Sequence, residues 1–550
     1  MKNLSFIVAL LLCLNSVGQT PTWSWAQTAK GSSYEESNAI TTDAGGNVYV
    51  TGYFGGDSLV VGTTTLYNVL NISTDYFLIK YDAAGNMQWA RSAGGTANEI
   101  GNAITTDAAG NIYVTGYFYS PTITFGSTVL TNAGNVGDVF IAKYDTQGTL
   151  IWAKREGGPG LEIPYAIKAD DKGHLFLAGR FSSLSITIGT TTLTQAGSMD
   201  AFVVKYDTAG TVLWAKGAGG TSNDEAYGMD VDSNGNVLVC GYFNGNATFG
   251  TFLLSTTGNA DIFIAKYDAT GTVLWAKKAG GNNLEHATSI KTDKEGNSYV
   301  CGFYESASLL IGTSTLTNFG VAGNANAFIC KYSAAGETLW AHGINGRSKA
   351  NDIALSGNSV FVGGIFNNDT LNYNSSVLLK AGSSDFFIAK CDTSGNKAWA
   401  LKQTADGGSS ESALGISTDR FGNLLVTGFY NSKPIAFGSS VLITTGTGFD
   451  MFVAKLGSVT TGIHALQTQV ETVLYPNPTS GMFRIKFNLL QDSYLTHELS
   501  IFNSMGEKVY QNHTYSSDEM IYFNQMPKGV YFYTFKSEGR NLETGKLILN

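Results

Sequence analysis

Apolar and polar positions alternate in short runs along most of this chain, and the runs return at a fixed interval. The clearest copy is Asn102–Lys154, where NAITTDAAGNIYVTGYF is followed by a variable insert and then DVFIAKYDTQGTLIWAK. Each unit predicts four short strands, like Ala103–Thr106, Ile112–Phe118, Val139–Tyr144 and Leu150–Lys154. Asp, Gly and Asn between the first and second and between the third and fourth supply hairpin turns that need a positive φ. The second strand is apolar on both faces, with Val48 and Val50 on one and Tyr49 and Tyr53 on the other. A sheet apolar on both faces must lie between neighbours.

Three anchors fix the period. A Phe-x-x-Lys strand recurs from Phe77–Lys80 to Phe452–Lys455, and a tryptophan follows the turn after it at Trp89, Trp152, Trp214, Trp275, Trp340 and Trp399. A D-x-x-G-N turn, as in Asp43–Asn47, is the third. Successive tryptophans, counted from Trp25, stand 59 to 65 residues apart, which marks a repeat architecture. The unit occurs seven times, and radial stacking satisfies two-sided burial. The expected fold is all-β: a seven-bladed β-propeller of four-stranded blades. The last unit ends at Lys455 with no tryptophan strand after it, while Trp25-Ala26-Gln27 stands alone before the first unit. The N-terminal Trp strand is therefore expected to complete the last blade and close the ring.

The units resemble the bacterial β-propeller repeat called SBBP, on the pattern D-x-x-G-N-x-Y-V-T-G followed by F-[IV]-x-K-[YF], over roughly residues 21–456. The resemblance implies a scaffold and no reaction, since propellers host many functions. The phrase Tyr-Asp-Ala-Ala-Gly-Asn-x-x-Trp also resembles the Trp-docking repeat of PQQ-dependent dehydrogenases, where it is structural; no adjacent Cys pair accompanies it here.

The ends of the chain read differently. Residues 1–18 carry Lys2, an apolar run from Phe6 to Leu14 and a small-residue exit, the pattern of a signal peptide. The propeller is expected over 19–457 and a linker over 458–472. Residues 473–550 predict a small Ig-like β-sandwich. That last segment closely resembles the C-terminal sorting domain of the type IX secretion system of Bacteroidetes, through YPNPTSGMFRI, LSIFNSMGEKVY, MPKGVYFYTFKSEG and GKLIL. The positions carrying the motif are Tyr475, Pro476, Asn477, Pro478, Gly481, Gly506, Gly529 and Lys546. The resemblance implies the type IX secretion machinery as a partner, a secreted or surface location, and release or attachment to lipopolysaccharide after tail removal.

Composition narrows the function classes. A net charge of −9 argues against a nucleic-acid surface, and no stretch of the mature chain approaches the length of a membrane-spanning helix. Four cysteines outside the leader replace other residues at scattered repeat positions, which reads as core filling and not as disulfide stapling. The six histidines form no metal-spaced pair, and no G-x-S-x-G, H-E-x-x-H or P-loop occurs. No catalytic residues and no cofactor are assigned, with Ca²⁺ the one candidate ion.

Candidate chemistry lies in three places. Glu35, Glu99, Glu162, Asp224, Glu285 and Glu411 recur just before the first strand of their units, with Ser348 breaking the set. Converging at a channel mouth they would hold Ca²⁺ or sugar hydroxyls; held singly they would accept hydrogen bonds from their own Gly-rich loops. Lys168, Arg180, Asp230 and Lys291 depart from the repeat in three adjacent units and form a candidate channel patch. The insert Ser120–Gly137, with Tyr53, Tyr117 and Tyr242, is a candidate glycan surface or, alternatively, packing between blades. These features point to a non-enzymatic propeller that binds polysaccharide or a surface protein, with a purely structural matrix role, or a PQQ-type oxidoreductase, glycosidase or lyase, as alternatives.

Overall fold

The computed structural model describes residues 21–134, 136–318, 323–405, 409–444, 448–457, 473–475, 477–486, 497–514, 519–523, 525–537 and 540–550. The leader, the linker and Pro476 lie outside them. Among the described residues every regular element is a strand. The chain divides into two compact units, one spanning Pro21–Ser458 and the other containing Val459–Asn550.

In the larger unit the repeats form blade-like four-stranded antiparallel sheets. Each runs from an inner strand outward in sequence order, as in Glu35–Thr42, Val48–Gly55, Thr74–Tyr81 and Met87–Ala93. The last sheet takes its outer strand from the other end: Trp23–Thr28 pairs with Asp450–Leu456, Trp25 opposite Lys455, as the unpaired tryptophan strand predicted. Inner strands touch in succession, and Glu35–Thr42 packs against both Glu99–Thr106 and Glu411–Thr418, so the series returns on itself.

The anchors of the repeat turn out to join neighbours. Trp89 Nε1 and Lys80 Nζ both donate to the Thr146 carbonyl in the outer turn of the next repeat, at 3.2 and 2.9 Å. Trp25 and Lys455 grip the Ala83 carbonyl in the same way across the closure, at 3.2 Å each. Gly85 in that turn has a φ of +87° and lies flat on the Trp25 ring, where a Cβ would come within 2.6 Å. The D-x-x-G-N turn is held by its own Asp: Asp43 accepts from the Asn47 amide nitrogen at 2.9 Å and from Tyr49 Oη at 2.9 Å. Cys240, Cys301, Cys330 and Cys391 are buried and free, as core filling requires.

Each insert folds as a two-stranded hairpin, such as Thr122–Phe125 with Thr128–Thr131. Some hairpins extend the outer edge of the preceding sheet, as Asn246–Phe249 does on Val212–Gly220. This covers an otherwise open edge.

The smaller unit has two antiparallel sheets. One contains Val473–Tyr475, Met482–Lys486 and Glu519–Tyr522; the other contains Lys508–Thr514, His497–Phe502, Gly529–Ser537 and Arg540–Leu549. Leu474, Phe483, Leu499, Ile501, Phe523 and Phe535 share one core. Asn477 ties the turn to the final strand: its Nδ2 donates to the Lys546 carbonyl at 2.6 Å and its Oδ1 accepts from the Ile548 amide at 2.9 Å.

Candidate functional site

The inner strands enclose a cavity of about 540 Å³ lined by residues from every repeat, among them Asn38, Asn102, Tyr165, Tyr227, Asn351 and Leu414. These six occupy the bulge of their inner strands, where one residue is left out of the pairing, as between Pro164 and Ala166. At three of these positions an Asn side chain reaches the next repeat: Asn38 to the Gly101 carbonyl, Asn102 to Pro164 and Asn351 to Ala413, at 3.0, 2.8 and 2.8 Å. Tyr165 and Tyr227 replace that bridge in consecutive repeats and stack on each other with ring centroids 4.2 Å apart.

The stack continues around the rim. Tyr227 neighbours Tyr242, Tyr242 stacks on His286 at 4.1 Å, and His286 stacks on Phe303 at 5.0 Å. Lys349 Nζ caps the row 4.2 Å from the Phe303 centroid. Glu225 lies beneath it, 4% exposed, accepting from Tyr165 Oη at 2.8 Å and Tyr242 Oη at 2.6 Å and pairing with Arg180 at 3.3 Å. Burial and Lys349 push His286 down to about 4, so the ring is neutral at physiological pH.

The four residues expected to form one patch divide in two. Lys168, Asp230 and Lys291 line the cavity, with Lys168 Nζ 3.1 Å from Asp230, whose Oδ2 also accepts from the Thr292 amide and hydroxyl at 2.7 and 2.8 Å. Burial raises the Asp230 pKa, but Lys168 and Lys291 outweigh it and hold the carboxyl below its usual range. Arg180 pairs opposite Ile163, at the other end of the strand from Lys168, and belongs with Glu225.

The acidic ring does not gather round a shared point. Glu35, Glu99, Glu162, Asp224, Glu285 and Glu411 are each at most 2% exposed, turned back into their own loops. The amides of Gly95, Gly158, Gly220 and Gly281 donate to Glu99, Glu162, Asp224 and Glu285 at 2.7–2.9 Å. Among the described residues no group of three or more His, Cys, Asp or Glu is placed to hold a metal. The nearby amide donors explain the inward turn, because a buried carboxylate must find hydrogen bonds.

Each ring carboxyl also meets an aspartate from the preceding repeat, a partner that the spacing of the motifs does not single out. Glu35 bonds to Asp450 and Glu411 to Asp385, while Glu99 faces Asp75, Glu162 Asp138, Asp224 Asp200 and Glu285 Asp261. Where the ring residue is Ser348, the position of the paired aspartate is held by Asn326. The acids are thus kept or lost as pairs. Desolvation is the main cause that raises Glu35 and Glu411 to about 8, Glu99 and Asp224 to about 7 and Asp75 to about 6.

Of the aromatic surface candidates, Tyr242 joins the stack, Tyr53 bonds to Glu36, and Tyr117 packs edge-on against Tyr119 at 5.6 Å. Tyr165, Tyr227, Glu225, His286 and Lys349 were not anticipated. The signal available was a Tyr where Asn recurs, two residues before the inner-strand Ile or Met.

Comparison with known proteins identifies the tail. A model of the secretion system C-terminal sorting domain matches residues 473–550. That domain implies handling by the type IX secretion machinery and places the chain at the cell surface or in the extracellular space. An uncharacterized WD repeat-containing protein of Acanthamoeba polyphaga mimivirus is 25% identical over 529 residues, covering 78% of this chain and 38% of its own length. Regulatory protein FlaEY of Caulobacter vibrioides is 24% identical over 449 residues, covering 75% of this chain and 45% of its own length. The chain spans less than half the length of either curated relative. Among solved structures, a variant of Synechocystis apocarotenoid oxygenase matches with a TM-score of 0.36 and 10% identity, covering 79% of this chain and 96% of its own. A member of the DUF4221 family from Bacteroides vulgatus matches with a TM-score of 0.28 and 10% identity, covering 64% and 92%. Among the described residues no helix is long and apolar enough to cross a membrane.

Proposed function

We propose that residues 19–457 form a seven-bladed, SBBP-type β-propeller that works as a non-enzymatic binding module, delivered outside the cell by the Ig-like sorting domain at 473–550. A cleaved leader at 1–18 and a linker at 458–472 complete this organisation. Its ligand is a polysaccharide or a surface protein, met at the rim of the central cavity. The observation that carries this reading is the confinement of the irregular residues. The Tyr165–Tyr227–Tyr242–His286–Phe303 row, Arg180–Glu225 and the Lys168–Asp230–Lys291 group occupy one arc of the third to fifth repeats, while Asn holds the bulge in the first, second and sixth. A scaffold role alone needs no such arc, since Asn at the bulge already bridges neighbouring repeats.

The test is a glycan and surface-protein array probed with the mature chain, with and without EDTA. Tyr165→Asn and Tyr227→Asn restore the repeat's own bridge and preserve folding. Binding lost in that pair supports the arc as the ligand face. Binding unchanged in the pair, or a blank array with folded protein, favours the structural matrix role. Loss of binding in EDTA would instead bring back a Ca²⁺ requirement.

A further inference from the structure

A second site is written into the differences between repeats. In the fourth repeat Lys278 leaves the outer strand and lies in a notch beside the insert hairpin. Its Nζ donates to the Ser255 carbonyl at 2.7 Å and the Thr257 hydroxyl at 2.8 Å, and pairs with Asp261 at 3.3 Å. The second and sixth repeats fill the same register with Arg155, 2.8 Å from Asp138, and Lys402, 2.6 Å from Asp385. These cations stand opposite the Phe of the Phe-x-x-Lys strand, as Phe140 with Arg155 and Phe263 with Lys278 show.

In the first repeat that register holds Ser92, opposite Phe77. The residues matching Ser255, Thr257 and Asp261 are Tyr67, Val69 and Asp75, and all three, with Ser92, line a cavity of about 500 Å³. Asp75 is 1% exposed. Its Oδ2 accepts from the Val69 amide at 2.9 Å, as the sibling aspartates accept from theirs, but where Asp138, Asp261 and Asp385 each pair that same oxygen with a cation, Asp75 makes no ion pair among the described residues. Tyr67 and Val69 are 73% and 59% exposed, which leaves an apolar lip around a buried carboxyl.

We propose that this notch is a receptor for the side chain of a lysine or arginine presented by a partner protein, which takes the place that Lys278, Arg155 and Lys402 take in their own repeats. The ammonium or guanidinium reaches Asp75, and the alkyl stem lies along Tyr67 and Val69. A bare metal ion fits less well: the cavity is far larger than an ion, and the three filled sibling notches hold nitrogen donors, while Gly217 and Gly343 leave that register without a side chain in the third and fifth repeats. The site is separate from the arc at the central cavity, so either can fail without the other.

The test is titration calorimetry of the mature chain, sorting domain included, at pH 7.5 and low salt. The probes are N-acetyl-lysine amide and N-acetyl-arginine amide, with N-acetyl-norleucine amide as the uncharged control. Saturable binding of a cationic probe, at least tenfold tighter than norleucine, is expected. Ser92→Lys supplies the cation internally and follows a pattern the chain already tolerates twice, so it is expected to fold and to weaken binding at least tenfold. Asp75→Asn is expected to do the same. The proposal is overturned by no saturable binding to folded protein, by equal binding of norleucine, by full binding in Ser92→Lys, or by Ca²⁺ displacing the probe from Asp75.

Discussion

Six pairs of buried acids make the repeat unit a pH-dependent joint, and one pair isolates the effect. Asp224 is fully buried, accepts from the Gly220 amide and faces Asp200, with Gly217 in the register where a cation would stand. The perturbation is Asp200→Asn with Asp224→Ser, the combination the chain itself uses at Asn326 and Ser348. The sign follows from the raised pKa. Such a carboxyl is protonated in the fold when the unfolded chain has already ionised. Its contribution is therefore fully present below pH ~4 and lost as pH rises through about 7. A rise from 3.8 to about 7 costs about 4 kcal/mol once both states are ionised, of which about 2 kcal/mol is already lost at pH 5. The pair should therefore remove roughly 2–3 kcal/mol between pH 5 and pH 8. Urea unfolding of the mature protein, followed by tryptophan fluorescence at pH 5, 6, 7 and 8, reads this out. Wild type should weaken across the series, and the double variant should show a slope shallower by that amount. A wild type as stable at pH 8 as at pH 5, or an unchanged slope in the variant, would refute the reasoning.

Three further outcomes are expected. Burial pushes the thiols up, Cys391 to about 11 and Cys301 to about 12, so a thiol reagent at pH 8 should find Cys240, Cys301, Cys330 and Cys391 silent in native protein and reactive after denaturation. Trp25→Ala removes the ring that covers Gly85 and the bond to Ala83, and should cost about 3–5 kcal/mol in urea unfolding. A matching loss for an exposed Leu213→Ala control would contradict that account. Deleting residues 473–550 should leave the protein inside the cell, and its appearance in the medium by immunoblot would argue against the sorting role.

Strand pattern, period and closure were readable because they rest on local alternation and on Phe, Trp and Gly at fixed spacing. Lys168, Asp230 and Lys291 were readable as departures from that spacing, and they do share the cavity. Arg180 falls away from that group because it stands on the second strand of its repeat, opposite Ile163, at the far end of the inner strand from Lys168. The bulge hid Tyr165 and Tyr227: one extra residue shifts the alternation, so counting by twos puts the wrong side chain on the inner face. The acid pairs were half visible. The Glu positions stood out in a polar loop, while the Asp two residues before each Phe read as an ordinary strand start.

The closing strand also decides how the protein bears load. The chain leaves the repeats at Leu456, the end of a strand flanked on one side by Trp23–Thr28 and on the other by Leu424–Tyr430. A pull on the chain beyond residue 457 therefore enters an interior strand and is resisted by two hydrogen-bonded ladders together. Had the last strand been an edge, the same force would have peeled a single ladder bond by bond. For a protein held outside the cell, the joint that completes the fold is also its mechanical clamp.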